Sequence, residues 1–220
     1  MAVVHHTTLK PTKAELLTSW LPGRPWYRGT GTPEPVAVGG FRLDDPAGEV
    51  GIEFIVLTDG SGPDPEVYLV PLTYRGAPLD GAEHALVGTL EHGVLGRRWV
   101  YDGCHDPVLV AQLLALVEGR AAAQDRNTTA TPDRDVTRSY SGNGTLAEAA
   151  AVAVTDDQEG TVLTLGREAA LRLHRNPPPV PGDPASLPEG AIGEVSGSWA
   201  LPDGVRARGL FAVLYRGSTA

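Results

Sequence analysis

The hydrophobic and polar positions divide the chain into short, well-punctuated elements. Residues 1–10 alternate in the manner of a strand. In "TKAELLTSWL" (12–21), Thr12 and Glu15 have capping-box spacing, Leu16, Leu17, Trp20 and Leu21 line one face, and Pro22-Gly23 follows, which predicts a helix. Three β-like runs come next, at 35–43, 49–58 and 66–75. The turn-rich stretches "DDPAG" and "DGSGPDP" separate them, so an antiparallel meander is expected. Further strands are predicted at 83–92 and 96–103. Asp106 then precedes Pro107, and Leu109, Leu113, Leu116 and Val117 recur at helical spacing up to Gly119. An N-cap aspartate with proline at the first helical position predicts a second helix.

Residues 119–135 are polar and aperiodic and are expected to be a linker. Beyond them the pattern is β-rich again, at 149–155, 160–166 and 168–175. Residues 176–190 hold too many prolines for a helix or a central strand. The end is expected to form a hairpin turning at Pro202-Asp203-Gly204, and no internal repeat is evident. The expectation is an α+β protein with a curved, mostly antiparallel sheet and two short helices in 1–118. A second β-rich unit in 136–217 should pack against it, because neither sheet can cover both faces alone.

Composition narrows the partners. The chain has 220 residues, 41% hydrophobic and 20% charged, with a net charge of −9. That balance argues against nucleic acid or an anionic membrane. No apolar run approaches a membrane span, and the N-terminus has no signal-peptide pattern. A lone cysteine, Cys104, fits a reducing cytoplasm, so the triplets beginning at Asn127 and Asn143 are chance glycosylation matches. The two lysines, Lys10 and Lys13, both lie near the start.

Candidate chemistry is sparse. "YDGCHDP" (101–107) sets Cys104, His105 and Asp106 side by side, yet a nucleophile, its base and an orienting acid normally converge from separate elements. The helix start explains these residues better. The histidines lack metal-ligand spacing, so no metal is expected. The pairs Asp44-Asp45 and Asp156-Asp157 sit in turns, and "SYSGNGTLAE" (139–148) lacks a phosphate-loop lysine. Among the aromatics Trp20, Trp26, Tyr27, Trp99 and Tyr101, Trp20 belongs to a core face. Core packing is the first expectation for these aromatics as a group, and Trp26 and Tyr27, in a Pro/Gly turn, are the candidate contact residues for a partner or a sugar.

Several of these segments together resemble the N-terminal region of the actinobacterial maltokinases. "LLTSWLPGRPWYRG" (16–29), "VYLVPLTYRGAPL" (67–79) and "VYDGCHDPVLVAQLL" (100–114) are similar, in the same order, to segments of that family's cap domain. The resemblance implies a cystatin-like curved sheet on helices. "TVLTLGREAALRLHR" (161–175) resembles strands of the kinase N-lobe, with Arg172 where that family has its phosphate-holding lysine. Arginine there is not a conservative replacement. No helix glutamate or C-lobe aspartates are recognisable. The resemblance therefore implies a cap with a remnant N-lobe and no phosphotransfer. The expected protein is not an enzyme and holds no cofactor. It acts as an adaptor or regulator on a protein partner of unknown identity, with glycogen, maltose or trehalose metabolism as the pathway that the resemblance suggests, and self-association into a homo-oligomer is left open. The alternative is a pseudokinase-like nucleotide or sugar binder using Arg172.

Overall fold

The computed structural model describes residues 7–143, 146, 153–166, 169–178, 187–201 and 204–217. Thirteen strands occur among them: β1 Leu9–Lys10, β2 Pro35–Leu43, β3 Gly51–Asp59, β4 Glu66–Arg75, β5 Leu86–His92, β6 Gly96–Asp102, β7 Gln124–Asp125, β8 Thr137–Tyr140, β9 Ala153–Asp156, β10 Gly160–Leu165, β11 Ala169–His174, β12 Ala191–Ala200 and β13 Arg206–Arg216. The helices are α1 Lys13–Trp20 and α2 Pro107–Glu118, with three single-turn 3-10 segments. The fold is α+β and mostly antiparallel.

Local chemistry sets both helix starts. The Thr12 hydroxyl accepts from the Glu15 amide at 3.2 Å, and Glu15 Oε2 accepts from the Thr12 amide at 2.7 Å. This closes the capping box and satisfies two otherwise orphaned donors. At α2 the Asp106 carboxylate accepts from the Val108 amide at 3.0 Å, and Pro107 occupies the first turn. Gly119 ends α2 in the left-handed region, at φ 79°, a conformation glycine adopts without a Cβ penalty.

The strands form one sheet in the order β1-β5-β6-β4-β3-β2-β12-β13-β11-β10-β9, with β7 beside β2 and β8 beside β12. The N-terminal meander meets the C-terminal strands where Gly39 pairs with Trp199. A Cβ at Gly39 would come within 2.7 Å of the Trp199 Cβ, so this approach requires glycine. The halves meet again where the Leu69 amide donates to the Arg175 carbonyl at 2.8 Å.

Strand β3 shows why "IEFIVL" is almost continuously apolar. Ile52, Phe54 and Val56 enter a core with α2, Leu163, Leu171, Val195 and Phe211. Ile55 and Leu57 point the other way, to Leu17, Trp20 and Leu21. Both faces of the strand are covered, and burying each large side chain contributes about 1.5–3 kcal/mol.

Residues 119–135, expected as a linker, are instead tied to the sheet. β7 pairs with β2, and the Arg126 guanidinium donates to Glu53 at 3.0 Å and to the Gly39 carbonyl at 2.7 Å. Residues 1–6 of the first expected strand lie outside the described residues, as do 149–152 of the strand expected at 149–155 and Arg167 and Glu168. β12 and β13 form the expected C-terminal hairpin, although Pro202 and Asp203 of its turn also lie outside.

Candidate functional site

A cleft of about 390 Å³ opens against β3, and its floor is built around one carboxylate. In the register, Glu53 lies opposite Arg42 of β2 and Leu72 of β4. Two residues beyond Leu72, Tyr74 lies diagonally across on the same face. Glu53 is only 5% exposed. It accepts from Tyr74 Oη at 2.8 Å and Arg126 Nε at 3.0 Å, and from Lys13 Nζ at the start of α1. Four elements thus converge on one buried charge. Burial alone would raise the Glu53 pKa. The charges of Lys13 and Arg126, with hydrogen bonds from Lys13 and Tyr74, override it and hold the carboxyl below its ordinary value. Burial and the neighbouring carboxylate push the Tyr74 phenol well above 10. Glu53 therefore stays ionised and Tyr74 neutral across the physiological range. This pair suits anchoring better than proton transfer.

The walls are apolar at Leu9, Val50, Leu90 and Leu95, and Arg42 and Arg98 also line the cleft. Arg42 donates to the carbonyls of Asp125 (3.1 Å) and Thr128 (3.4 Å), and Arg98 Nη2 donates to the Leu95 carbonyl at 2.7 Å. Asp45 is engaged by its own loop, accepting from the amides of Ala47, Glu49 and Val50.

The residues of "YDGCHDP" do not converge. Cys104 is buried, and burial pushes its thiol far up despite the charge of Arg175, so the thiolate needed for nucleophilic chemistry is suppressed. Asp106 caps α2 and takes a bidentate contact from Arg75, both bonds 2.7 Å. His105 turns to His84, with Nδ1 and Nε2 3.1 Å apart. Burial pushes the His105 pKa down and Asp102 opposes the shift.

Arg172 does not stand over an open anion site. From β11 its guanidinium donates to Asp157, in the turn between β9 and β10, at 2.8 and 3.1 Å, and these bonds draw the Asp157 pKa down to about 2. Part of the 139–148 loop, including Gly144 and Thr145, lies outside the described residues.

The expected exposure of Trp26 is corrected by the structure, where it is 0% exposed. Its ring packs 5.6 Å from Trp20 and 5.9 Å from Tyr68, and the Arg175 guanidinium lies 4.8 Å from its centroid. Trp26 is core and offers no partner surface. Tyr27 is half-buried and donates to Asp59 at 2.7 Å.

A second charged cluster closes the seam between the halves. Arg175, fully buried after β11, donates to both Asp102 oxygens at 2.6 and 2.8 Å and to Thr161 Oγ1 at 2.8 Å. Its Nη2 also lies 3.4 Å from Cys104 Sγ. Sequence reasoning missed this pair, the Glu53 network and the His84–His105 contact. A charged residue inside an otherwise apolar run was the available signal for Glu53. No group of three or more metal-ligating side chains occurs among the described residues, and no described helix is long and apolar enough to cross a membrane.

Residues 20–106 match the family model of the maltokinase N-terminal cap domain. No curated protein matches the chain. The cap-domain likeness read from the motifs therefore holds for this segment, which contains β2 through β6 and the cleft residues Arg42, Glu53, Tyr74 and Arg98. Lys13 and Arg126 reach the cleft from outside it.

Proposed function

We propose that this chain is a non-catalytic cap-domain protein that acts as an adaptor or regulator on a protein partner, in the cytoplasm and in carbohydrate metabolism of the glycogen, maltose or trehalose type. The pathway rests on the cap-domain likeness. The observation that carries the reading is the engagement of the reactive side chains within the cap-like half and its neighbour. Cys104 is sealed, Asp106 caps a helix and Arg172 is paired with Asp157. On this reading the first half is the cystatin-like cap and the C-terminal strands are a kinase N-lobe-like scaffold without phosphotransfer.

A tagged copy in the native host, with reciprocal tagging of whatever it retains, tests the proposal. The expected result is one carbohydrate-metabolism enzyme that co-elutes with the chain through gel filtration. A monomer or simple homo-oligomer with no reciprocally confirmed partner overturns it. The second reading is a nucleotide or sugar binder, for which the cleft beside Glu53 offers the volume. Calorimetry with ATP and magnesium, and separately with maltooligosaccharides, distinguishes the two. The adaptor reading expects no saturable heat from either.

A further inference from the structure

We infer that the Glu53 cleft is a binding site for a small organic monoanion with an apolar body, its charge held by Arg98 and Arg42 and its body against Leu9, Leu90 and Leu95. This goes beyond the adaptor reading and stands independently of it. The volume of about 390 Å³ lies within the range of small-molecule sites.

The sign of the ligand follows from the charges. The whole chain carries −9, yet four permanent cations line this cleft (Lys13, Arg42, Arg98 and Arg126) against three carboxylates (Asp45, Glu49 and Glu53). Glu53 is matched by Lys13 and Arg126. Asp45 is held by three backbone amides and Glu49 is exposed to water. Neither Arg42 nor Arg98 makes a direct ion pair among the described residues, although the charge of Arg42 helps to hold the nearby Asp125 carboxyl down, so Arg98 is the less matched of the two. Arg98 has a further deficit, because its Nε–H is shielded from water and has no acceptor among the described residues. A guanidinium presents up to five donors in a fork that fits an oxyanion. The surplus of one cation suits a single negative charge and opposes a nucleotide polyphosphate, while the leucine walls favour an apolar body over a bare inorganic anion or a sugar.

Isothermal titration of the full chain with octanoate, octanol and octylamine tests this, because the three probes share one alkyl chain and differ in head charge. Octanoate is expected to bind saturably at one site, more weakly as salt rises. Octanol and octylamine should bind at least about tenfold more weakly, the scale of one charge-assisted contact. Arg98→Gln should weaken octanoate by a similar factor and Arg98→Lys should restore part of it. Arg97→Gln, an exposed neighbour that does not line the cleft, should leave binding unchanged. Urea midpoints of the variants check folding. Equal binding of octanoate and octanol, no binding of octanoate, or an Arg98→Gln variant that folds and binds normally each overturns the proposal.

Discussion

Two regions of this molecule each bury a carboxylate against cations, and they differ in what surrounds the charge. At the seam, Asp102 and Arg175 are both sealed from water, and a tryptophan ring lies over the guanidinium. In the cleft, Glu53 is as deeply placed, but its partners Lys13 and Arg126 keep 32% and 18% of their side chains exposed. A sealed pair holds its two halves in one arrangement, since either partner left alone is a bare charge in a low-dielectric interior. An open pair can exchange a protein contact for water or a ligand at much lower cost. The contrast assigns stability to the seam and recognition to the cleft.

Breaking the seam should have the largest effect. Arg175→Met leaves Asp102 buried without its cation and is expected to destabilise by about 3–5 kcal/mol. The double variant Asp102→Leu/Arg175→Met should recover part of that loss. Urea unfolding measures both, and a single-variant loss comparable to that of a surface ion pair would dissolve the distinction between the regions. The matching change in the cleft, Glu53→Gln, should cost less, about 1–3 kcal/mol, because water reaches Lys13 and Arg126 once the carboxylate is gone.

The difference between the regions was only partly legible in the sequence. The meander and the two helices were, because capping, alternation and turn residues act locally. The strand period carries further information. On β11, Ala169, Leu171 and Leu173 face the core, and the same parity carries Arg175 inward and Arg172 outward. The family resemblance singles out Arg172, although the alternation marks Arg175 as the buried cation. Its partner Asp102 lies 73 residues away, which no local pattern reveals. The burial of Trp26 is hidden from local pattern for the same reason. A Pro/Gly turn suggests exposure, but Tyr68 and Arg175 arrive from distant strands to cover it. The polar composition of 119–135 concealed β7 and Arg126, whose role depends on a carboxylate on β3.

Acid should separate the regions more gently. Burial depresses the pKa of His105 beside the seam and of His174 on β11, in the latter case with help from Arg172. A histidine with a lowered folded pKa binds its proton more readily in the unfolded chain. Its contribution is therefore complete above the unfolded value of about 6.5 and lost as pH falls from there through the folded value. Thermal midpoints should decline between about pH 6.5 and 5, before the depressed carboxylates begin to titrate. His105→Gln and His174→Gln should each flatten this slope. A slope unchanged in both variants would place the acid sensitivity elsewhere.

The smallest effect is expected at Arg172, and it tests whether burial rather than bond count separates the sites. Arg172 and Asp157 share two short hydrogen bonds, as Arg175 and Asp102 do, but the Asp157 side chain is 45% exposed. Water solvates both groups once the pair is broken, so Arg172→Gln should cost only about 0–1 kcal/mol, and less as salt rises. The Asp157 carboxyl should still report the lost partner. Held down to about 2 chiefly by the Arg172 bonds, it should titrate higher in the variant, as followed by carboxyl carbon NMR. Its stability contribution is present above the unfolded value of about 3.9 and lost as pH falls through about 2, so Arg172→Gln should shrink the acid limb alone. A loss at neutral pH as large as that of Arg175→Met would mean that paired geometry, and not exclusion of water, sets the worth of both sites.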